Sequence, residues 1–422
     1  VKPWIDLIRQ TITYEENDEM KPMTLSQGRG YLAIPGPSVI PDAVLQAMHQ
    51  AAPNIYEGPL IDLTKSIVED LKWTACSTQH VAIYIANGHG AWEAALANIA
   101  EPGDKVLVSA TGRFGHGWAE MARRMGIGVE LIDFGMQSMA EPAQIAQALK
   151  DDRDRQIKAV LICHVDTSTS VRNDILQIRQ AMDAVDHPAL LAVDCIASLA
   201  CDRFEFDAWG VDVMVAGCQK GLMVPPGLSF VFFSDQAAKR QKALRHVSSY
   251  WDWAPRVAPQ LFYEYFCGTA PTHHLFGLRI ALDMLKAEGL PHIWARHETL
   301  AQAIWSAVNI WGQAGGTMAL NIADPAQRSH AVTAMHLGVP ATQNLRQWLE
   351  QNAGVTVGIG LGMSTPTDPD GKGFFRFGHM GHVNAQMIMA LLGSVEAGLC
   401  ALSLPHGAGA LEAAARVIGS AR

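Results

Sequence analysis

The sequence predicts an α/β protein: a mainly parallel sheet with helices on both faces, followed by a smaller α+β portion. Three observations predict it. From about residue 60 to 235, apolar runs of strand length alternate with stretches of helix length. Strands buried on both faces read as continuous apolar runs, and parallel neighbours need a helical crossover between them. The 422 residues, 49% hydrophobic and 17% charged, suffice for a large core and more than one domain. After about residue 275 the alternation gives way to long helical stretches and then mixed segments.

Taken in order, the chain opens with the polar, acidic "TYEENDEMKP", and globular patterning begins at Met23. Residues 1–22 read as an arm, a swapped extension or a segment outside the natural start, within an N-terminal division of 1–30. "DLTKSIVEDLKWTA" spaces its apolar residues along one helix face, and "VAIYIAN" (81–87) follows as a strand. "GAWEAALANIA" returns to helix, "DKVLVSA" to strand and "GWAEMARRMGI" to helix. Then come strand "KAVLICHV" (158–165), helix "NDILQIRQAMDAV" and strand "ALLAVDC" (189–195). In "VDVMVAGCQKGLMVPPGLSFVFF" two apolar runs of strand length flank Lys220, which sits among Gly217, Gly221, Pro225, Pro226 and Gly227. These elements form a large division, 31–275.

The remainder, 276–422, forms a smaller one. "LFGLRIALDMLKAEG" and "LPHIWARHETLAQAIWSAVNIWGQAG" predict long helices, "SHAVTAMHLG" and "VTVGIGLG" strands, and "NAQMIMALLGSVEAGLCALS" a helix. The stripe Trp294, His297, Ala301 and Trp305 has helical spacing and reads as core.

A formal net charge of −9 and the lack of a Lys/Arg-rich run exclude nucleic acid and anionic membrane as the main partner. Seven scattered cysteines with no C-x-x-C read as free thiols of a reducing cytoplasm. No apolar run reaches membrane-spanning length and no basic-then-apolar leader opens the chain, so a cytoplasmic protein is expected. His379 and His382 in "GHMGH", and the pair His273–His274, lack H-E-x-x-H or accompanying carboxylates, so no metal site is expected. No G-x-S-x-G elbow appears.

In sheets of this kind ligands bind beyond the carboxyl ends of the strands. "IANGHGAWEAAL" places Asn87, Gly88, His89 and Gly90 between a strand and a helix. Exposed N–H groups and the helix dipole suit that turn to a phosphate, while a plain structural turn explains it as well. A dinucleotide fingerprint lacks its third glycine, since Glu93 stands there. Asp194 ends an apolar strand, either capping the next segment or serving as counter-ion to a protonated ligand nitrogen. Lys220 at the next strand end is either a surface lysine or a desolvated amine suited to imine formation and proton transfer. Phosphate cup, pyridine-nitrogen partner and imine-forming amine are together the parts that a pyridoxal phosphate site needs.

"VDCIASLA" followed by "VAGCQKGLMVPPGLSFVFFS" resembles the active-site core of the class V, fold-type I pyridoxal-phosphate aminotransferases, whose fold is aspartate aminotransferase-like. The likeness is strongest to the alanine/serine–glyoxylate group and runs from about Leu32 onward. "PGPSVIPDAVLQAM", which holds Gly36, resembles the family's N-terminal segment at the substrate. "NGHGAWEAALANIAEPGDKVLV", "GTAPTHHLFGLR" and "FRFGHMGHVN" match later motifs in the right order.

The resemblance implies a pyridoxal 5′-phosphate enzyme that moves an amino group from alanine or serine to a 2-oxo acid such as glyoxylate. It implies that Lys220 forms the internal aldimine and that Asp194 binds the pyridinium nitrogen. Phe114 and Ile196 flank the ring, Thr167 lies near O3′, and Gly88, His89 and Gln219 lie at the phosphate. Arg376 takes the substrate carboxylate through its guanidinium fork. Thr269 reaches the phosphate of the neighbouring subunit, which implies a homodimer with active sites at the interface.

Two departures stand out. Phe266 replaces the tyrosine common three residues before Thr269, leaving Tyr265 to supply that contact or the contact missing. "NIYEGPL" also differs from many serine–glyoxylate enzymes near the substrate, so Tyr56 and Glu57 bear on which donor fits. The alternatives are a lyase or a ureidoglycine- or pyridoxamine-type transaminase on the same fold, and a nucleotide-binding oxidoreductase using "NGHGAWE".

Overall fold

The computed structural model describes residues 24–421, so the arm expected at 1–22 lies outside the described residues. Strand β1 (Tyr31–Ala33) comes first. Strands β2 (His80–Tyr84), β3 (Lys105–Ala110), β4 (Gly128–Asp133) and β5 (Ile157–Cys163) follow, separated by helices. A short hairpin, β6 (Val165–Asp166) and β7 (Val171–Arg172), precedes β8 (Leu190–Asp194), β9 (Val213–Gly217) and β10 (Ser229–Phe233). Beyond the long helices Thr272–Glu288 and Leu290–Trp311 lie β11 (Ala319–Leu320), β12 (Val332–His336), β13 (Val355–Ile359) and β14 (Phe374–Gly378).

Seven strands form the larger sheet in the order β2-β10-β9-β8-β5-β3-β4. All run the same way except β10, which is antiparallel to both neighbours. The apolar runs explain the layering, because side chains alternate across a strand. Val160, Ile162, Leu191, Val193, Met214 and Ala216 fall on one face. There they meet Ile67, Leu71, Ile145, Leu149, Ile178 and Met182 from three helices. Their neighbours Ala159, Leu161, Ala192, Val213 and Val215 fall on the other, against Trp92, Leu96, Trp118 and Ala122. Strand β4 and the helix Pro142–Asp151 were not among the elements expected from the sequence, and β2 stops at Tyr84, short of the expected 87.

The second sheet runs β1-β13-β14-β12-β11, antiparallel apart from β1 on β13. It packs Val357, Phe375 and Phe377 against Ile304, Val308, Leu391 and Val395 in a core of its own. The helix Leu290–Trp311 passes between the two cores, with Ile293 in the first and Leu300 onward in the second. As the stripe on that helix predicts, His297 and Ala301 are fully buried, and His297 Nε2 accepts the Gly381 N–H at 3.0 Å. A buried carboxylate ties the sheets together: Asp202 accepts from Ser329 Oγ at 2.9 Å and from the His330 N–H at 2.8 Å, with Arg172 at 3.7 Å. That join holds the strand carrying Arg376 against the carboxyl ends of the larger sheet.

Candidate active site

The carboxyl ends of β2, β3, β5, β8 and β9 lead into Asn87–His89, Thr111–Phe114, His164–Thr167, Asp194–Ile196 and Gly217–Lys220. Five parallel strands thus deliver these residues to one edge of the sheet.

Lys220 follows β9, where the turn residues Gly217 to Gly227 reverse the chain into β10. Its amine donates to the Pro35 carbonyl. A Cβ on Gly36 would collide with the end of that side chain, so only glycine, at φ +91°, lets this backbone pass. Burial, and next the positive charge of Arg376, push the Lys220 amine down to about 8, against a smaller opposing pull from Asp194. A lysine at that value carries an appreciable neutral, nucleophilic fraction near neutral pH.

Asp194 is 4% exposed at the end of β8. Its Oδ1 accepts the Ile196 N–H at 2.7 Å, its Oδ2 accepts Trp92 Nε1–H at 2.9 Å, and Cys163 Sγ lies 3.8 Å from Oδ2. Burial raises the carboxyl to about 7, and the Ile196 and Trp92 hydrogen bonds oppose that rise. A carboxylate so placed gains strongly from a cationic N–H partner.

The helix Gly88–Ile99 starts where Asn87 Oδ1 accepts from the His89 and Gly90 N–H groups, at 3.1 and 3.3 Å. The side chain of Asn87 therefore satisfies two of the donors the sequence offered to a phosphate, and the Gly88 N–H is not used in this cap. A Cβ on Gly88 would strike Ile196 Cδ1, so these two pack directly. His89 is exposed, its ring 4.7 Å from Trp92.

The helix Arg113–Arg124 starts four residues before the expected segment. Asp166 Oδ2 accepts the Phe114 and Gly115 N–H groups at 2.8 and 3.2 Å, while Oδ1 accepts from the Ser168 N–H at 3.0 Å. The Phe114 ring meets Trp92 edge-on at 6.2 Å. Thr167 is 6% exposed, and its carbonyl accepts from Arg376 Nη1 at 2.7 Å. Arg376 Nε donates to the Ile359 carbonyl at 2.7 Å, which leaves Nη2 outside these bonds. Burial lowers its guanidinium to about 10. Gln219 Oε1 is buried with no hydrogen-bond partner, an acceptor waiting for a donor.

The structure thus links Gly36, Gly88, His89, Phe114, Thr167, Asp194, Ile196, Gln219, Lys220 and Arg376 around one centre. It does not bring in Tyr56, 86% exposed, or Thr269, also exposed, within a single chain. Phe266 is wholly buried and edge-on to Phe262 at 5.7 Å, a core side chain. Beyond the residues its motifs point to, the site also uses Trp92, Asp166 and the Pro35 carbonyl. Among the described residues, no three His, Cys, Asp or Glu side chains are grouped to hold a metal ion. His379 is buried, with Nε2 2.9 Å from Thr333 Oγ1.

A family model described as "Aminotransferase class-V" matches residues 31–369. The serine–glyoxylate aminotransferase of Methylorubrum extorquens is 35% identical over 387 residues, covering 89% of this chain and 92% of that protein. The L-aspartate–glyoxylate aminotransferase of Paracoccus denitrificans is 33% identical over 91% of this chain and 94% of its own length. Pyridoxamine–pyruvate aminotransferase from Mesorhizobium loti superposes with a TM-score of 0.82 at 25% identity, over 92% of this chain and 97% of that one. Ureidoglycine–glyoxylate aminotransferase from Bacillus subtilis shares the fold, with a TM-score of 0.83 at 23% identity over 93% and 99% of the chains.

Proposed function

The chain belongs to the class-V aminotransferase family, and from that premise we propose that it transfers an amino group from a small amino acid, alanine or serine, to glyoxylate. It is a pyridoxal-phosphate-dependent transaminase of fold type I. The residues present fit that cofactor: a part-buried lysine amine, a buried carboxylate near enough to act on its charge, and two glycines a Cβ would obstruct. When bound, the cofactor supplies an electron sink for charge developing at the substrate α-carbon.

The chain's own residues do the rest. Lys220 Nζ would hold the cofactor at its aldehyde carbon and, as a free amine, would accept the proton from the substrate α-carbon. Its lowered proton affinity suits both tasks. Asp194 would hold the ring nitrogen and its proton, Phe114 and Ile196 would flank the ring, and Thr167 would meet its hydroxyl. The Gly88 N–H, the His89 ring and the Gln219 amide N–H would hold the phosphate, since Asn87 already takes the His89 N–H. Arg376, already fixed by two carbonyls, would bind the substrate carboxylate with its remaining edge, with Gly36 leaving room beside Lys220. Tyr56 belongs at the donor side chain by the family resemblance alone, since the single chain leaves it exposed. Thr269 serves the phosphate of a second copy, which makes the protein a homodimer; its exposure in the single chain supports this. A cytoplasmic location and a division into bodies of 31–275 and 276–422 belong to the same reading; the separate cores support two bodies, though Ala33 packs in the second core and Leu278 to Ile293 in the first.

The observation that carries the proposal is the part-buried Lys220 amine at the end of β9, held at the Pro35 carbonyl, packed on Gly36 and within reach of the charges of Arg376 and Asp194. The test is the visible spectrum of protein loaded with cofactor, beside Lys220→Ala, followed by alanine and serine each paired with glyoxylate and pyruvate. An imine band that survives Lys220→Ala unchanged overturns the role of Lys220. Failure of every pair, with turnover of pyridoxamine or ureidoglycine instead, favours the second reading that the Mesorhizobium loti structure supports.

A further inference from the structure

Trp92 lies in the middle of the helix Gly88–Ile99, at a position whose apolar neighbours mark it as core. It is 1% exposed, yet it does more than fill space. Its ring stacks on Trp118 at 5.9 Å and 14°, and it touches His89 at 4.7 Å and Phe114 at 6.2 Å. A Cβ on Gly117 would come within 3.2 Å of the indole, so the ring is wedged from a second side. Its one polar atom, Nε1–H, donates to Asp194 Oδ2 at 2.9 Å. A buried indole N–H needs a partner, and a fixed carboxylate needs donors; each satisfies the other.

We infer that Trp92 is a positioning residue that holds the Asp194 carboxylate, ionised and in one orientation, for the ring nitrogen of the cofactor; the inference rests on the transaminase reading above. Asp194 Oδ1 is fixed by the Ile196 N–H and Oδ2 by Trp92, so the carboxyl plane cannot rotate without breaking one bond. The charged and titratable groups around Asp194 are Lys220, Asp166 and the thiols of Cys163 and Cys195. Lys220 favours the ionised form and Asp166 opposes it. Cys163 and Cys195 are themselves pushed well up by burial and stay protonated. The neutral donors Ile196 N–H and Trp92 Nε1–H therefore carry most of the compensation for burial. Through the same ring, the position of Asp194 is coupled to His89 at the phosphate end and to Phe114 at the ring face.

The test replaces Trp92 with β-(3-benzothienyl)alanine, which keeps the bicyclic shape and loses the N–H, with Trp92→Phe as a second variant. Apoprotein labelled with carbon-13 at the aspartate carboxyl carbons reports the titration of Asp194, assigned by its loss in Asp194→Asn. A hydrogen bond to a charged group predicts that the midpoint rises by about one to two pH units in both variants. Cofactor affinity, followed by fluorescence, falls by about tenfold at pH 7, because less of the carboxylate is ionised. A midpoint and affinity unchanged in the isostere overturn the inference, and leave Trp92 as packing alone. Equal losses in both variants with an unmoved Asp194 midpoint also overturn it. If wild-type protein shows the expected Asp194 titration but takes up no cofactor, the transaminase reading fails instead, and the cofactor part of the inference with it.

Discussion

Lys220 is costly to fold. Its amine loses its proton near 8 in the folded chain, against an ordinary 10.5. Each tenfold change in proton affinity is worth about 1.4 kcal/mol, so burying the cation costs about 3 kcal/mol below pH 8. The unfolded chain binds the extra proton between about pH 8 and 10.5, so stability rises with pH across that window. Lys220→Met removes the charge and keeps the stem. It forfeits the hydrogen bond to the Pro35 carbonyl, about 1 kcal/mol. The variant apoprotein is therefore expected to be about 2 kcal/mol more stable than wild type at pH 7, with the advantage almost gone at pH 9.5. Urea unfolding of both proteins at the two pH values measures this. A variant less stable at pH 7, or an advantage independent of pH, refutes the desolvation argument. On the proposed reading the same amine sets the kinetics of cofactor capture, so the rate at which apoprotein forms its visible band should rise with a midpoint near pH 8. A midpoint near 10.5, the value of a solvated lysine, refutes it equally.

Other expectations follow from the neighbours. Arg376→Met removes the charge that comes second to burial in lowering Lys220, so the capture midpoint should move up; a midpoint that stays still removes Arg376 from the amine's surroundings. Asp166→Ala leaves the N–H groups of Phe114, Gly115 and Ser168 without their acceptor, and should cost about 2 kcal/mol in urea unfolding. A change under about 0.5 kcal/mol, the level of an ordinary surface substitution, contradicts that cap. Gly88→Ala drives a methyl group into Ile196 and should weaken cofactor binding about tenfold by fluorescence titration, the equivalent of about 1.4 kcal/mol of overpacking. If the proposed dimer shares Thr269 across its interface, unfolded and co-refolded mixtures of Lys220→Ala with Thr269→Ala should contain one hybrid site with both residues intact, restoring wild-type cofactor retention there. Retention no better than the average of the two parents places Thr269 in its own chain's site or in none.

The parts of this site that the sequence revealed are those that break its apolar pattern. Asp194 and Lys220 each stand at the end of a run that is otherwise buried, as "LLAVD" and "VMVAG" are, and a charge there demands an explanation. The layered fold was legible for the same reason, since long apolar strands alternating with amphipathic helices admit few arrangements. Strand β4 escaped because "GVELID" is only partly buried and mixes acidic with apolar residues, as an edge strand can. What the sequence hid are the groups that satisfy those charges. Trp92 lies 102 positions from Asp194 and looks like any core aromatic, because its contribution is a single N–H whose direction only the packed helix sets. Asp166 caps a helix that begins 53 residues before it, so no local capping signal precedes Phe114, and the helix start was expected too late. The Pro35 carbonyl that receives the Lys220 amine has no side-chain signature at all. A site is thus read from its uncompensated charges, while the compensation is tertiary. Substitutions that disable this enzyme without touching Asp194, Lys220 or Arg376 should therefore concentrate at Trp92, Asp166 and Gly36, the positions that fix where those charges point.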